Sequence, residues 1–327
     1  MRQDLIILLA SFLLSLIAGG ILIPFLRRRK AGQPILHYVA EHSSKAGTPT
    51  MGGWIFILGI TLAVLPFALG SHPVLLALAI MLSYGVVGFL DDFLKVRRGN
   101  NKGLSAWQKA GFQLIIACIA AFYARELGTR LVLPFAGGSL DLGGWYLPFA
   151  VFVFLAATNG VNLTDGLDGL AARTVLGYLL AFFVLLALGI RSAEELGDPG
   201  SAGILHGFAL LSAAAMGGLL AFLLFNAFPA RVFMGDTGSL ALGGLIAAMA
   251  LFTPYALFLP LFGVMFVVSC LSVILQVASF KLTRKRIFLM APFHHHLQMK
   301  GMHENRITAL YFAVTAAVSA FTLIFCL

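Results

Sequence analysis

Three short stretches hold most of the groups in this chain that could do chemistry. In the first, Asp91-Asp92 precedes Lys95, Arg97 and Arg98. Asp91 and Lys95 stand at i,i+4, the spacing of a helical surface ion pair, which would account for one acid and leave its neighbour as an adjacent like charge. The second runs Asn159-Gly-Val-Asn-Leu-Thr-Asp-Gly-Leu-Asp-Gly169. On a helix, Asn162, Asp165 and Asp168 would drift by only about 60° per step and share a face. Its glycines make a loop leading into a helix an equal alternative, with Thr164 or Asp165 as the cap. The third spans Asn226 to Ser239, and its Asp236 and Thr237 fall where a helix should start, so capping and the binding of an anion or metal are compatible roles.

Two further loops add bases and hydroxyls. His42 to Gly53 includes Lys45, suited to a phosphate or base oxygen, although Gly and Thr at a helix start also serve turn and cap. Pro292-Phe293-His294-His295-His296 follows a basic run. Consecutive helical side chains point about 100° apart, so these histidines suit a phosphate or carboxylate better than a closed zinc site. Interfacial histidines bonded to backbone or headgroups are the plainer alternative. The whole set offers carboxylates, amides, histidines and lysines, with no activated Ser or Cys nucleophile. That set suits phosphoryl transfer with Mg²⁺, or Mn²⁺ in its place, held by oxygen ligands. No Walker A sequence or kinase glycine loop is present, which argues against ATP as donor.

These residues must be positioned by membrane helices. Of 327 residues, 60% are hydrophobic and 11% charged, against roughly 25% charged in a soluble domain. A large water-soluble enzyme is thereby excluded. Ten apolar segments read as spans: Leu5 to Leu26, Met51 to Leu69, Pro73 to Leu94, Trp107 to Ala124, Tyr146 to Thr158, Leu170 to Ile190, Ala202 to Phe225, Phe233 to Thr253, Tyr255 to Phe280 and Thr308 to Leu327. Continuous runs without period-2 alternation exclude a β-barrel. The first segment lacks a cleavage pattern and reads as a span, not a signal peptide. The expected fold is an all-α polytopic membrane protein, one transferase domain over residues 1–327.

Alternate loops differ sharply in charge, since the loops after odd-numbered spans, with their flanks, carry 18 of the 22 Lys and Arg residues. Both termini then lie outside, with the acids and bases on the cytoplasmic face. Seven of the thirteen acids lie on that same face. The net charge of +9 meets membrane lipid headgroups or a phosphorylated substrate, and nothing calls for nucleic acid. Cys118, Cys270 and Cys326 sit in apolar spans and imply no disulfide framework. A site at the membrane edge implies one lipid and one water-soluble substrate.

The run Lys45-Ala-Gly-Thr-Pro-Thr-Met-Gly-Gly53, the Asp91-Asp92 pair, Asn159 to Gly169, Asn226 to Ser239, and Ala291-Pro-Phe-His-His-His296 resemble, in order and over essentially the whole chain, the bacterial phospho-N-acetylmuramoyl-pentapeptide transferases. These are a branch of the polyprenyl-phosphate N-acetylhexosamine-1-phosphate transferases. The resemblance implies Mg²⁺-dependent transfer from UDP-MurNAc-pentapeptide to undecaprenyl phosphate in the bacterial inner membrane, giving lipid I and UMP, the first membrane step of peptidoglycan synthesis. By position it implies Asp236 as the principal Mg²⁺ ligand, Asp91 and Asp92 beside it, and Asp91 as the group that orients or deprotonates the lipid phosphate. Lys45, Thr50, Asn162, Asp165, Gly166, Leu167, Asp168, Asn226 and Phe233 would line the nucleotide side, Phe233 stacking on uracil. Lys102, Lys109, His294, His295 and His296 would contact phosphate or sugar, with Gln276 reaching the same cleft. The oligomeric state is open, a homodimer being one alternative.

The chain departs from that pattern at Leu297-Gln298, where the family usually has Phe-Glu, at Ser269, where an acid is common, and at Tyr38 to Glu41, which lacks a Gly-Pro pair. Two rivals differ in observable ways. A GlcNAc-1-phosphate transferase would use another UDP-sugar, and donor competition separates the two. A transporter would place acids near the bilayer midplane, whereas here they cluster at span ends.

Overall fold

A computed structural model describes residues 2–29, 47–100 and 102–326. Lys45 lies outside the described residues. Helices fill all ten apolar segments: α1 (Arg2–Arg28), α2 (Trp54–Ala68), α3 (His72–Arg98), α4 (Ala106–Leu127), α5 (Tyr146–Thr164), α6 (Leu170–Glu195), α7 (Pro199–Asn226), α8 (Gly235–Leu251), the pair α9 (Leu259–Phe262) and α10 (Val264–Thr283), and, after the short α11 (Phe293–Met299), α12 (Glu304–Cys326). Eight of these are long and apolar enough to cross a membrane. The other two apolar helices, α2 and α8, have 15 and 17 residues, or about 22 and 26 Å at 1.5 Å per residue.

Three details differ from the sequence expectation. A small antiparallel ribbon, β1 (Arg130–Val132) with β2 (Ser139–Asp141), interrupts the all-α pattern between α4 and α5. Helix α5 continues past Thr158 to Thr164, because its polar residues bond within the helix: Asn159 Nδ2 donates to the Leu155 carbonyl and Thr164 Oγ1 to that of Gly160. The ninth apolar run is not one helix, since a 3₁₀ turn at Ala256–Phe258 leads into α9 and Gly263 separates α9 from α10.

Helix α8 occupies the middle of the bundle, every residue from Thr237 to Leu251 being buried. Lipid tails are as apolar as Leu, so membrane helices associate through close packing, which small residues permit. A Cβ on Gly53 would meet the Gly238 backbone, one on Gly243 the Thr158 backbone, and one on Gly88 the Asp236 carbonyl. Helix α8 is thereby pressed against α2, α5 and α3. The outer faces are apolar, as on α1, where Leu5, Leu9, Leu13, Ile17 and Ile21 recur every four residues and stand exposed. Trp107 at the start of α4 and Trp145 just before α5 are 89% and 78% exposed. They mark opposite ends of the bundle, where amphipathic indoles favour the membrane–water boundary. The C-terminal ends of α3, α5 and α7 and the N-terminal ends of α4, α6 and α8 meet at the Trp107 end, and there lie Asp91, Asp92, Asp165, Asp168 and Asp236.

Candidate active site

The centre of this end is Asp236, in the first turn of α8. Lys95 Nζ lies 2.8 Å and Lys109 Nζ 3.0 Å from its Oδ2, and Asn162 Nδ2 donates to its Oδ1 at 2.6 Å. Lys95 also reaches Asp91 Oδ2 at 2.6 Å, so one ammonium bridges two carboxylates from different helices. Asp91 accepts the Leu104 amide at 2.7 Å on its other oxygen. Asp92 turns the opposite way and accepts the Asp236 and Thr237 amides, at 3.2 and 3.0 Å, and the Thr237 hydroxyl at 2.7 Å. Asp91, Asp92 and Asp236 each offer a carboxylate oxygen within 4.8 Å of the others.

Asp165 stands beside them in the turn after α5. Burial, and then the charges of Asp236, Asp92 and Asp168, push its carboxyl well above the usual range. Asp91 and Asp236 thus share the ammonium groups of Lys95 and Lys109, and with Asp92 beside them three carboxylates stand against two ammonium groups, an excess of negative charge of the kind a divalent cation balances. All the donors are hard oxygens, which suits Mg²⁺ or Mn²⁺ better than a soft metal.

Two loops are stitched together around this centre. Asn226 accepts the Gly169 amide at 3.1 Å and donates to the Val232 carbonyl at 2.9 Å, while Asp168 Oδ2 accepts the Ala230 amide at 3.0 Å. The segment before α8 is also tied to the one before α2, Phe233 N donating to Pro49 O and the Gly52 and Gly53 amides to Phe233 and Met234. Thr50 is fully buried beside Gly235 and Asp92. Phe233 is half-buried and makes no ring contact among the described residues.

The remaining expected site residues are more dispersed. The histidines point apart, as their spacing on α11 demands. His296 Nδ1 accepts the Leu289 amide at 3.1 Å, and His295 Nδ1 lies 3.2 Å from Gln298 Oε1. His294 is fully buried against Gly166, where a Cβ would collide with its Nε2. Leu167 packs in a small core with Leu170, Met265, Ile307 and Tyr311. Gln276 clamps the loop after α10, accepting the Ile287 and Phe288 amides and donating to the Phe288 carbonyl. It lines a cleft of about 710 Å³ with Phe280, Lys281, Arg286 and Met290. Lys102 is exposed. Ser269, where an acid is common in the family, accepts a hydrogen bond from the buried Thr164 hydroxyl at 3.0 Å.

Burial, with the neighbouring His295 second, holds the His294 imidazole well below its usual pKa. When the folded pKa lies below the unfolded value of about 6.5, the unfolded chain takes the extra proton first as pH falls. This group therefore costs nothing above about pH 6.5 and removes stability below it. The thermal midpoint is expected to fall between pH 7 and 5, with up to about 1.4 kcal/mol lost per pH unit through this one group. His294→Gln should flatten that slope, and parallel slopes in the two proteins would show that the imidazole does not carry it.

Carboxylates, paired lysines and a supporting amide at the edge of a helical bundle are groups of the kind that suit phosphorylated substrates. Comparison with known proteins makes the class specific. The model of glycosyl transferase family 4 matches residues 74–253. Phospho-N-acetylmuramoyl-pentapeptide-transferases of Caldanaerobacter subterraneus subsp. tengcongensis and Thermoanaerobacter sp. are 43% and 42% identical to the chain, over 94% and 96% of its length and 93% and 96% of theirs. That of Clostridium perfringens is 46% identical over 93% of this chain and 91% of its own. The chain belongs to glycosyl transferase family 4 and, within it, to the phospho-N-acetylmuramoyl-pentapeptide transferases.

Proposed function

We propose that this protein transfers phospho-MurNAc-pentapeptide from its UDP carrier to undecaprenyl phosphate, releasing UMP and leaving lipid I in the membrane. The observation that carries the reading is Asp236, gripped by two lysines and an asparagine at a membrane edge, in a chain of this family. Asp236 would hold Mg²⁺, which when bound would neutralise charge growing on the donor pyrophosphate. Lys95 and Lys109 offer their ammonium groups to the phosphate oxygens. Asp91 orients the lipid phosphate or accepts its proton. The turn Asp165-Gly166-Leu167-Asp168, with Asn226 and Phe233, forms the nucleotide side, the uncommitted Phe233 ring stacking on uracil.

In the same reading all ten apolar helices cross the bacterial inner membrane, both termini lie outside and the site faces the cytoplasm. The concentration of Lys and Arg at the site end supports that orientation. The short α8 suits it, because it is buried from Thr237 to Leu251 and needs no lipid-matched length of its own.

The test is UMP release by the purified protein in detergent with undecaprenyl phosphate and Mg²⁺. Release is expected with UDP-MurNAc-pentapeptide, to require the lipid, and to stop when the metal is chelated. Release with UDP-GlcNAc instead would keep the chemistry and replace the donor.

A further inference from the structure

Asp92 belongs to the acidic cluster but bonds differently from its neighbours. A helix begins with amides that have no partner within the helix, and a side chain at the N-cap usually satisfies one of them. Helix α8 lacks that device, since Met234 at its N-cap has helical dihedrals and makes no capping bond. Asp92, on α3, supplies the bonds instead. Its Oδ1 takes the Asp236 amide, and its Oδ2 takes both the Thr237 amide and the Thr237 hydroxyl, which fills that oxygen. The side chain is completely buried, and the positive end of α8 favours its charge.

The three aspartates therefore differ in what they hold. Asp91 and Asp236 share the mobile ammonium of Lys95, a partner that a metal or phosphate can displace. Asp92 holds backbone amides, which cannot leave it without fraying the turn that carries Asp236. Neighbouring residues are shaped around this contact. A Cβ on Gly235, whose φ is +73°, would run into Asp92 Oδ2, and Thr50 Oγ1 closes the other side at 2.6 Å from that same Cβ position.

We propose that Asp92 is a positioning residue, capping α8 across the α3–α8 interface and thereby aiming Asp236 at the metal, and that it neither binds the metal nor takes a proton. The proposal rests on the reading of Asp236 as metal ligand. Thr237 is fully buried, and Thr237→Val removes one donor to Asp92, so it probes the contact without altering any acid.

The measurement is the rise in thermal midpoint of the full-length protein in detergent, titrated with Mg²⁺ in the absence of substrates. Thr237→Val and Asp92→Asn are each expected to raise the half-saturating Mg²⁺ by about 10-fold, as loss of a group that orients a ligand does. The double variant should be little worse than Asp92→Asn alone, because both changes break one contact. If Asp92→Asn erased the Mg²⁺ response while Thr237→Val left it intact, Asp92 would be a direct ligand and the proposal wrong. It would be equally wrong if both variants lowered the starting midpoint without moving the half-saturation. Should Asp92→Asn fail to fold, Thr237→Val decides alone. A Mg²⁺ response that survived Asp236→Asn unchanged would bring down the metal assignment itself, and this proposal with it.

Discussion

Asp236→Asn is expected to lower turnover by about 10³-fold or more, the scale of losing a group on which transition-state charge stabilisation depends. The substitution keeps the shape and the amide that Asp92 accepts, so α8 should still begin where it does. What changes is charge. Lys95 and Lys109 both point at Asp236 Oδ2, and with a neutral amide there two ammonium groups would confront each other with Asp91 alone as counter-charge. A neutral amide is also a weak ligand for a hard divalent cation. Rates of UMP release over a Mg²⁺ titration check both effects, because added metal would rescue a mere loss of affinity but not a loss of charge complementarity. Near-normal activity across the titration would refute the role of Asp236.

The sequence alone makes the bundle legible, because apolar runs of span length have few other uses. Their ends are less legible, and polar side chains are the reason. Asn159 and Thr164 look like helix breakers when read one by one, yet each bonds to a carbonyl one turn back and lets α5 run on. The break at Gly263 hides for the opposite reason, being flanked by apolar residues on both sides.

In the site, Asp91, Asp92, Lys109, Asn162 and Asp236 come together from four helices, the acids and the amide legible from their spacing and Lys109 only through the family resemblance. Lys95 does not stand out in the sequence, since an i,i+4 partner of Asp91 at a helix end looks like an ordinary surface pair. Only the fold brings α8 to it and turns the pair into a bridge to Asp236. Adjacent acids on a helix point about 100° apart, which is why Asp91 and Asp92 face different partners, but spacing alone does not say which faces the metal. Gln276, read as a cleft residue, lines a cleft and is at the same time bonded to the backbone of its own loop.

Gly88→Ala should separate stability from aim more sharply than any change of a charged residue. Gly88 lies one turn before Asp92 on α3, and a Cβ there would overlap the Asp236 carbonyl and the Thr237 amide. Both neighbours are backbone, so no flexible side chain can move aside. The first turn of α8 must shift, at a cost of about 1–3 kcal/mol for overpacking a tight contact. The Asp236 carboxylate moves with that turn. A misplacement of about 1 Å costs on the order of 10²-fold in rate, so the lost activity should far exceed what partial unfolding at the assay temperature explains. Gly111→Ala on α4 is the matched control, since a Cβ there meets nothing within 4 Å. It should leave both thermal midpoint and turnover close to wild type. If Gly88→Ala behaved like Gly111→Ala, the α3–α8 contact would be loose, and the position of Asp236 would have to be set from somewhere other than the glycine face of α3.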